Sequence, residues 1–380
     1  MRNIIFIGLV SFFADLSAEM VYPLIPLYLT SAFGATPVLV GLIEGIAESL
    51  ASLLKVFSGY ATDRFRKKKP IAFIGYATGL VYKLALVLAG SWAGILGARV
   101  IDRFGKGIRT SPRDVLVSES GLSSTLGRSF GVHKALDMAG SAAGILAAYF
   151  ILKAGKGNYD YKRIFLVSAI PALLSLFMFA FIRETGKPRS PKAPLEVFKS
   201  IKALDTRLKL YLAVVFLFTL GNSSNTFLLL RARNAGFDSA TVVLLYFLYN
   251  AVSSLLALPL GGLSDKLGRK RILVGGYLTF AIVYGTFAWS PNKASIIGAF
   301  ALYGLFTAMT AGVERAFIAE ISPPDLKGTM LGLHSTIVGI ALLPASLIAG
   351  MLWTSFGPAV PFALGAALSM SAAIILHFGM

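Results

Sequence analysis

Two ten-residue stretches of the chain, Gly59–Lys68 (GYATDRFRKK) and Gly261–Lys270 (GGLSDKLGRK), resemble each other and lie about 200 positions apart. Each begins with glycine, has aspartate at its fifth position and ends in basic residues. At nearly the same offset, Gly131–His133 (GVH) returns as Gly332–His334 (GLH). Similarity at one fixed offset indicates an internal duplication. The sequence therefore predicts two halves built on the same plan.

The composition identifies the solvent in which the chain folds. Of its 380 residues 56% are hydrophobic and 14% are charged, and the mean hydropathy is +0.73. Soluble domains have about 25% charged residues. We therefore predict an all-α integral membrane protein. Twelve apolar segments have the length of about 20 residues that a transmembrane helix needs. They begin near Ile4, Val38, Ile71, Ala93, Ser129, Ile164, Leu210, Ala240, Ile272, Ser295, Met330 and Pro361.

Basic residues predict the orientation. They gather in alternate loops, at Arg64–Lys69, Arg183–Lys209 and Lys266–Arg271, and such loops face the cytoplasm. Both termini are then cytoplasmic, and we place the protein in the plasma (inner) membrane. The formal charge of +18 reflects this topology and attraction to anionic lipid, so no nucleic-acid partner is expected. The chain has no cysteine, which excludes disulfides and thiolate metal sites.

The middle of the chain divides it into two parts. Between them, RETGKPRSPKAPLEVFKSIKALDTRLK combines prolines, cations and apolar residues at helical spacing, namely Leu195, Phe198, Ile201 and Leu204. We predict an N-terminal six-helix bundle at 1–183, a cytoplasmic linker with an interfacial helix at 184–207, and a C-terminal six-helix bundle at 208–380.

These features resemble the major facilitator superfamily of secondary transporters. The family's loop motif between the second and third helices reads G-x-L-a-D-R-x-G-R-K, and Gly261–Lys270 matches it almost completely, whereas the first copy has Arg66 in place of a glycine. Arg103–Gly107 (RFGKG) is similar to the family's fourth-helix motif R-x-x-Q-G. Gly140–Gly144 retains part of a fifth-helix motif of drug–proton antiporters but lacks its proline and glycine pair. The resemblance implies two pseudo-symmetric six-helix bundles that rock around a central cavity.

The fourth predicted helix carries a mostly cationic stripe. At about 100° per residue its members fall within roughly 80° of one another. A charge at the centre of a membrane helix costs about 2.5–3.5 kcal/mol on the insertion scale, so we expect the stripe to face the bundle interior. The stripe consists of Arg99, Asp102, Lys106, Arg109 and Arg113.

Acidic residues in other helices could partner these cations. Asp15 and Glu19 share one helix face, as do Glu44 and Glu48 in the second helix, and His133 and Asp137 in the fifth. Buried carboxyls beside cations have shifted pKa values and can exchange protons during transport. Structural ion pairs that hold the helices together are the alternative interpretation. We predict proton coupling at Asp15, Glu19, Arg103, His133 and Asp137.

Two further sets of residues complete the predicted site. Asp63 and Arg113 lie fifty positions apart, and so do Asp265 and Arg315, which suggests two symmetry-related ion pairs that break when the protein opens. The predicted conformational lock consists of Asp63, Arg64, Arg113, Asp265, Lys266 and Arg315. The predicted substrate cavity is lined by Glu44, Glu48, Lys106, Arg109, Asn222, Asn225, Asn250 and Tyr249.

The sequence thus predicts a secondary active transporter that works by alternating access, most simply as a proton-coupled exporter of a small amphipathic or cationic solute. An anionic solute, a carboxylate or phosphate compound clamped by the cationic stripe, remains an alternative, and so does a metal ion as cargo. A channel or membrane-embedded enzyme fits less well, since HExxH and G-x-S-x-G motifs are missing. We expect no enzyme activity, no cofactor and no resident metal. The expected energy source is the proton gradient, and the partners are protons, a small solute and the lipid bilayer around a monomer.

Overall fold

The computed structural model describes residues 2–65, 68–120, 126–155, 160–184, 205–290, 292–322 and 327–380. For 55–65, 111, 118–119, 126–131, 319 and 327–329 it describes the backbone alone. The interfacial helix expected at Leu195, Phe198, Ile201 and Leu204 lies outside the described residues. So do the side chains of residues 59–67 in the first loop copy.

The N-terminal half of the chain is helical almost throughout. A short 3-10 turn, Tyr22–Leu24, joins the first two helices, and a second one, Phe179–Phe181, extends the last. The helices are α1 Arg2–Glu19, α2 Ile25–Phe33, α3 Pro37–Phe65, α4 Lys68–Leu88, α5 Trp92–Ser120, α6 Leu126–Ala154 and α7 Tyr161–Met178.

The C-terminal half repeats this pattern of long helices. Its first membrane segment is interrupted at Asn222–Asn225, and the N-terminal one is interrupted at Met20–Leu24. The helices are α8 Thr206–Gly221, α9 Thr226–Asn234, α10 Ser239–Leu267, α11 Arg269–Trp289, α12 Lys293–Thr310, α13 Val313–Ile321, α14 Lys327–Phe356 and α15 Val360–Gly379.

The fold confirms the predicted all-α membrane architecture. Eleven segments of the described chain are long and apolar enough to cross a bilayer; three of them, Arg2–Phe33, Thr206–Asn234 and Lys293–Ile318, each combine two helices. The twelfth is α5, which has 29 residues but carries the cationic stripe and is therefore too polar to be recognised by hydropathy. At 1.5 Å per residue its length exceeds the roughly 30 Å of the hydrocarbon core.

The helices form two compact units. The first unit comprises Met1–Gly34 and Leu50–Ala193, and the second comprises Ala35–Ser49 and Pro194–Met380. The start of α3 therefore groups with the C-terminal helices. In the first unit α1 packs on α6 and α7, and α4 packs on α5 and α7; in the second unit α8 packs on α14 and α15, and α11 packs on α12 and α15. The packing within each unit repeats, as the duplicated sequence predicts.

The α1–α6 contact depends on two glycines one turn apart. A Cβ atom at Gly140 would collide with the carbonyl oxygen of Phe12, and one at Gly144 with that of Leu16. Small residues at this spacing let two membrane helices approach to backbone contact. The close approach brings the polar residues of α1 and α6 together.

Candidate functional site

A pair of carboxyl groups lies at the α1–α6 contact. Asp15 of α1 and Asp137 of α6 lie close enough together for their carboxyl groups to share a hydrogen bond. Arg109 lies on the Asp15 side, with Nη2 3.8 Å from Oδ1, and Lys134 lies on the Asp137 side, with Nζ 2.7 Å from Oδ2. Two ionised carboxylates would repel each other, so a hydrogen bond between these two groups needs a shared proton. We call Asp15 and Asp137 the carboxyl pair.

A short row of hydrogen bonds runs beside the carboxyl pair. The Ser11 hydroxyl lies 3.1 Å from Tyr76 Oη of α4 and 2.8 Å from His133 Nε2 of α6. The Arg109 guanidinium, which faces Asp15, also stacks on the Tyr76 ring at 4.4 Å, a cation–π contact. Four helices therefore hold the carboxyl pair in place.

A second group of charges surrounds Asp102 on α5. Arg99 Nη1 and Arg103 Nε each lie 3.7 Å from Asp102 Oδ2. Both guanidinium groups also lie over the Tyr22 ring, at 5.4 and 5.6 Å. Lys83 of α4 is 2% exposed, Arg99 is 1% exposed and Arg103 is 4% exposed, so this part of the stripe is buried within protein.

Lys106, in the middle of the stripe, is exposed, although its charge acts on both Asp15 and Asp102. Lys106 lies on the same helix face as Arg99 and Arg113, because 100° per residue places it between them. Because Lys106 is exposed, neighbouring helices do not cover this face of α5 at that position. A small cavity beside it is lined by Tyr76, Lys83, Asp102 and Arg109. It has room for about one water molecule, which polar groups on several sides could hold.

The other predicted acidic residues lie elsewhere. Glu19 ends α1, and Glu44 and Glu48 lie on the part of α3 that belongs to the second unit. Glu44 is 1% exposed, whereas Glu19 and Glu48 are half-buried. In the described part of the chain, no three His, Asp or Glu side chains come close enough together to hold a metal ion.

Of the polar residues predicted to line the cavity in the C-terminal half, some contact each other in the structure and others do not. Asn225 donates to Tyr249 Oη at 3.2 Å and accepts from Tyr303 Oη at 2.6 Å, which joins α8–α9, α10 and α12. Asn250 donates to the Tyr246 carbonyl of its own helix at 2.9 Å, and Asn222 caps the end of α8. Asn225, Tyr249 and Tyr303 therefore form one site.

The conformational lock differs from the prediction. Asp265 contacts Arg269, 3.1 Å away, and not Arg315, and Arg269 also contacts Glu320 at 2.8 Å. The reason is proximity, since Arg269 lies only four positions after Asp265. Lys266 and Arg315 are exposed. In the first unit Arg113 contacts its neighbour Asp114 at 2.9 Å, and the side chains of Asp63 and Arg64 lie outside the described residues.

A buried polar group of the second unit was absent from the predicted site. Glu314 of α13 accepts a hydrogen bond from Tyr277 Oη at 3.3 Å, and its Oε2 lies 3.8 Å from His334 Nε2 of α14. The repeat of GVH as GLH could have pointed to this group, because it pairs His334 with His133. Tyr277 lies at the same offset from Tyr76.

Two relatives are similar in sequence to this chain, one over nearly its whole length and one over about a third of it. An uncharacterized MFS-type transporter of Methanocaldococcus jannaschii is 38% identical over 383 residues, which cover 99% of this chain and 94% of the relative. A multidrug efflux pump of Mycolicibacterium smegmatis is 35% identical over 137 residues, which cover 36% of this chain and 26% of the pump.

Solved structures share the fold. A mutant form of the nucleoside transporter NupG superposes with a TM-score of 0.84 at 12% identity, and the match covers 99% of both chains. A POT family transporter in complex with 5-aminolevulinic acid gives a TM-score of 0.82 at 12% identity, and the match covers 99% of this chain and 95% of that one. The model of the Major Facilitator Superfamily matches residues 7–230 and 210–379. The chain belongs to the Major Facilitator Superfamily of membrane transporters.

Proposed function

We propose that the protein is a proton-coupled exporter of a small amphipathic or cationic solute. The observation that carries the proposal is the carboxyl pair, in which Asp15 and Asp137 lie close together between Arg109 and Lys134. Such a pair binds one proton, and a change in the distance to either cation changes how tightly that proton is held. A helix movement that alters the α1–α6 contact would therefore load or release the proton.

Export is supported by relatives that carry out efflux. The Mycolicibacterium smegmatis relative is a multidrug efflux pump. An aspyridones efflux protein of Emericella nidulans is 29% identical over 214 residues, 54% of this chain. For the solute, the acidic residues Glu44 and Glu48 of the second unit suit a cation, and the aromatic site of Asn225, Tyr249 and Tyr303 in the same unit suits its apolar part. The protein would act as a monomer in the plasma membrane, with cytoplasmic termini.

A second candidate is an anionic solute, a carboxylate or phosphate compound. The observation that favours it is the concentration of cations on α4 and α5, where Lys83, Arg99 and Arg103 lie within the first unit near Asp102. Arginine binds carboxylate and phosphate groups through paired hydrogen bonds. Under this alternative the carboxyl pair would still couple transport to protons.

Transport by purified protein in proteoliposomes tests the proposal. The assay uses a panel of lipophilic cations, carboxylates, organic phosphates and divalent metal ions, with and without an imposed pH gradient. We expect a cationic or amphipathic member to move against its gradient only when the pH gradient is present. Transport of an anion alone would favour the second candidate, and transport that ignores the pH gradient would refute proton coupling.

A further inference from the structure

The second unit has a buried carboxyl–imidazole pair that the proposed function does not use. Glu314 lies in the first turn of α13, directly after the break that separates α13 from α12, and His334 lies in α14. Their side chains are 19% and 11% exposed, and Glu314 Oε2 lies 3.8 Å from His334 Nε2. The Tyr277 hydroxyl donates to the other carboxyl oxygen, Oε1, at 3.3 Å.

Aromatic rings pack against Tyr277, on one side of this pair. Tyr277 is 0% exposed and stacks on Phe218 with ring centres 4.2 Å apart, and Phe218 contacts Phe280 and Phe306. A single unbalanced charge is costly in such surroundings. One proton taken up from water changes the pair from a carboxylate beside a neutral imidazole, with charge −1, to a pair with no net charge. The pair can therefore hold a proton on either partner.

Few other titratable groups face the pair. Four helices pack on α13. Of these, α11 contributes Tyr277, α8 contributes Tyr211 and α14 contributes His334 itself, while Arg315 lies next to Glu314 on α13. The titratable side chains of α12 are Lys293, at its far end, and Tyr303, which is hydrogen-bonded to Asn225. Among the described residues, Glu314 is the carboxyl that lies within 4 Å of His334.

The internal repeat gives an independent argument. In the first unit Tyr76 and His133 are bridged by the hydroxyl of Ser11. Tyr277 and His334 occupy the corresponding positions of the second unit, where the Glu314 carboxyl lies between them: it accepts from Tyr277 at 3.3 Å and lies 3.8 Å from His334 Nε2. The same tyrosine–histidine arrangement thus has a neutral bridge in one unit and an ionisable bridge in the other.

We propose that Glu314 and His334 form a second proton-binding site, separate from the carboxyl pair of the first unit. The inference rests on the proposed function, since a second proton site has a part in transport only if transport is coupled to protons. Each unit of the protein would then bind one proton. Tyr277 is a positioning residue that orients the Glu314 carboxyl.

Histidine titration by NMR tests this site without a transported solute. The full-length chain in lipid nanodiscs has three histidines, His133, His334 and His377, and single His→Gln variants assign their signals. Between pH 4 and 9 we expect Glu314→Gln to weaken proton binding by His334 about tenfold, since the partner charge is lost. Glu320→Gln removes a 54% exposed carboxyl of the same helix and is expected to leave His334 unchanged.

An unchanged His334 titration in Glu314→Gln, or an equal shift in Glu320→Gln, would overturn the proposal. Tyr277→Phe provides a second variant that keeps the ring packing, and we expect it to tighten proton binding by the pair, because the carboxylate loses a hydrogen bond. If neither variant alters the titration, the pair is structural. Transport without a pH gradient would instead refute proton coupling and leave the titration result standing, so the two failures are distinguishable.

Discussion

At the scale of single residues, the closeness of Asp15 to Asp137 makes each carboxyl depend on the other. Replacing either one by asparagine removes the shared proton and keeps the side-chain shape. In proteoliposomes loaded with the transported member of the panel, we expect Asp15→Asn and Asp137→Asn each to reduce transport driven by the pH gradient at least about tenfold, the size of effect that proton-transfer groups have. The double variant should lose no more than either single one, because the two residues act together.

The matched control for these variants is Asp205→Asn. Asp205 is exposed, precedes α8 and makes no capping hydrogen bond through its side chain, so its replacement should leave transport unchanged. If both single variants of the carboxyl pair retain full gradient-driven transport, the pair is a structural contact between α1 and α6.

Lys106 gives a second prediction at this scale. Lys106→Gln restores the residue that the resemblance implies in the fourth helix. Because Lys106 is exposed, we expect its replacement to change stability by no more than about 0.5 kcal/mol and to shift the preference among anions and cations, since one cation of the open face is lost. Thermal unfolding in detergent and transport across the panel measure these two effects. Identical selectivity in the variant would show that Lys106 does not face the solute.

At the scale of helices, the α1–α6 contact is set by backbone approach. Gly140→Ala places a methyl group against the carbonyl of Phe12, and such overpacking costs about 1–3 kcal/mol. We expect a lower midpoint of thermal unfolding, and weaker gradient-driven transport because the carboxyl pair is pushed apart. In the control, Gly97→Ala on α5, the added methyl group meets no atom within 4 Å apart from the adjacent residues and backbone of its own helix, and the change is expected to be neutral or slightly stabilising. A similar loss in both variants would contradict this account of the contact.

Helices differ in how well the sequence predicts them. Long apolar segments gave the membrane spans, because hydropathy over about 20 residues reports burial in lipid directly. The breaks at Met20–Leu24 and Asn222–Asn225 were missed, since an interruption of a few residues hardly changes that average. The partner of Asp265 was also missed. The prediction paired Asp265 with Arg315, fifty positions away, and did not consider Arg269, only four positions away. The structure places Arg269 3.1 Å from Asp265.

At the scale of the whole molecule, the duplicated loop predicted two related halves, and the matched helix packing within the two units follows from it. The candidate site was less predictable. Spacing alone assigned Arg99 and Asp137 to a helical face. The contact between Asp15 and Asp137, however, depends on the close helix packing at Gly140 and Gly144. Contacts between distant helices are set by close packing, which a hydropathy pattern does not contain.

The ion pairs of Arg269 allow a prediction about the balance between the conformational states of the transporter. It joins the end of α10 to α13 through Asp265 and Glu320, whose side chains are 65% and 54% exposed. Exposed ion pairs contribute about 0–1 kcal/mol each. Loss of both changes a two-state ratio by about five-fold, which is enough to shift an equilibrium that is nearly balanced. We expect Arg269→Gln to favour the state that is open to the cytoplasm.

Cysteine labelling measures that shift, because the chain has no cysteine of its own. Ser322→Cys places one thiol at the end of α13, where the side chain is 6% exposed, so its labelling reports the opening of this end. Arg269→Gln should label about five-fold faster than the parent, whereas Arg271→Gln, which removes an exposed arginine of the same loop and has no ion pair in the described structure, should label at the parent rate. Equal rates in all three proteins would mean that Arg269 serves topology alone, since the positive charge of this loop orients the helices whether or not its ion pairs form.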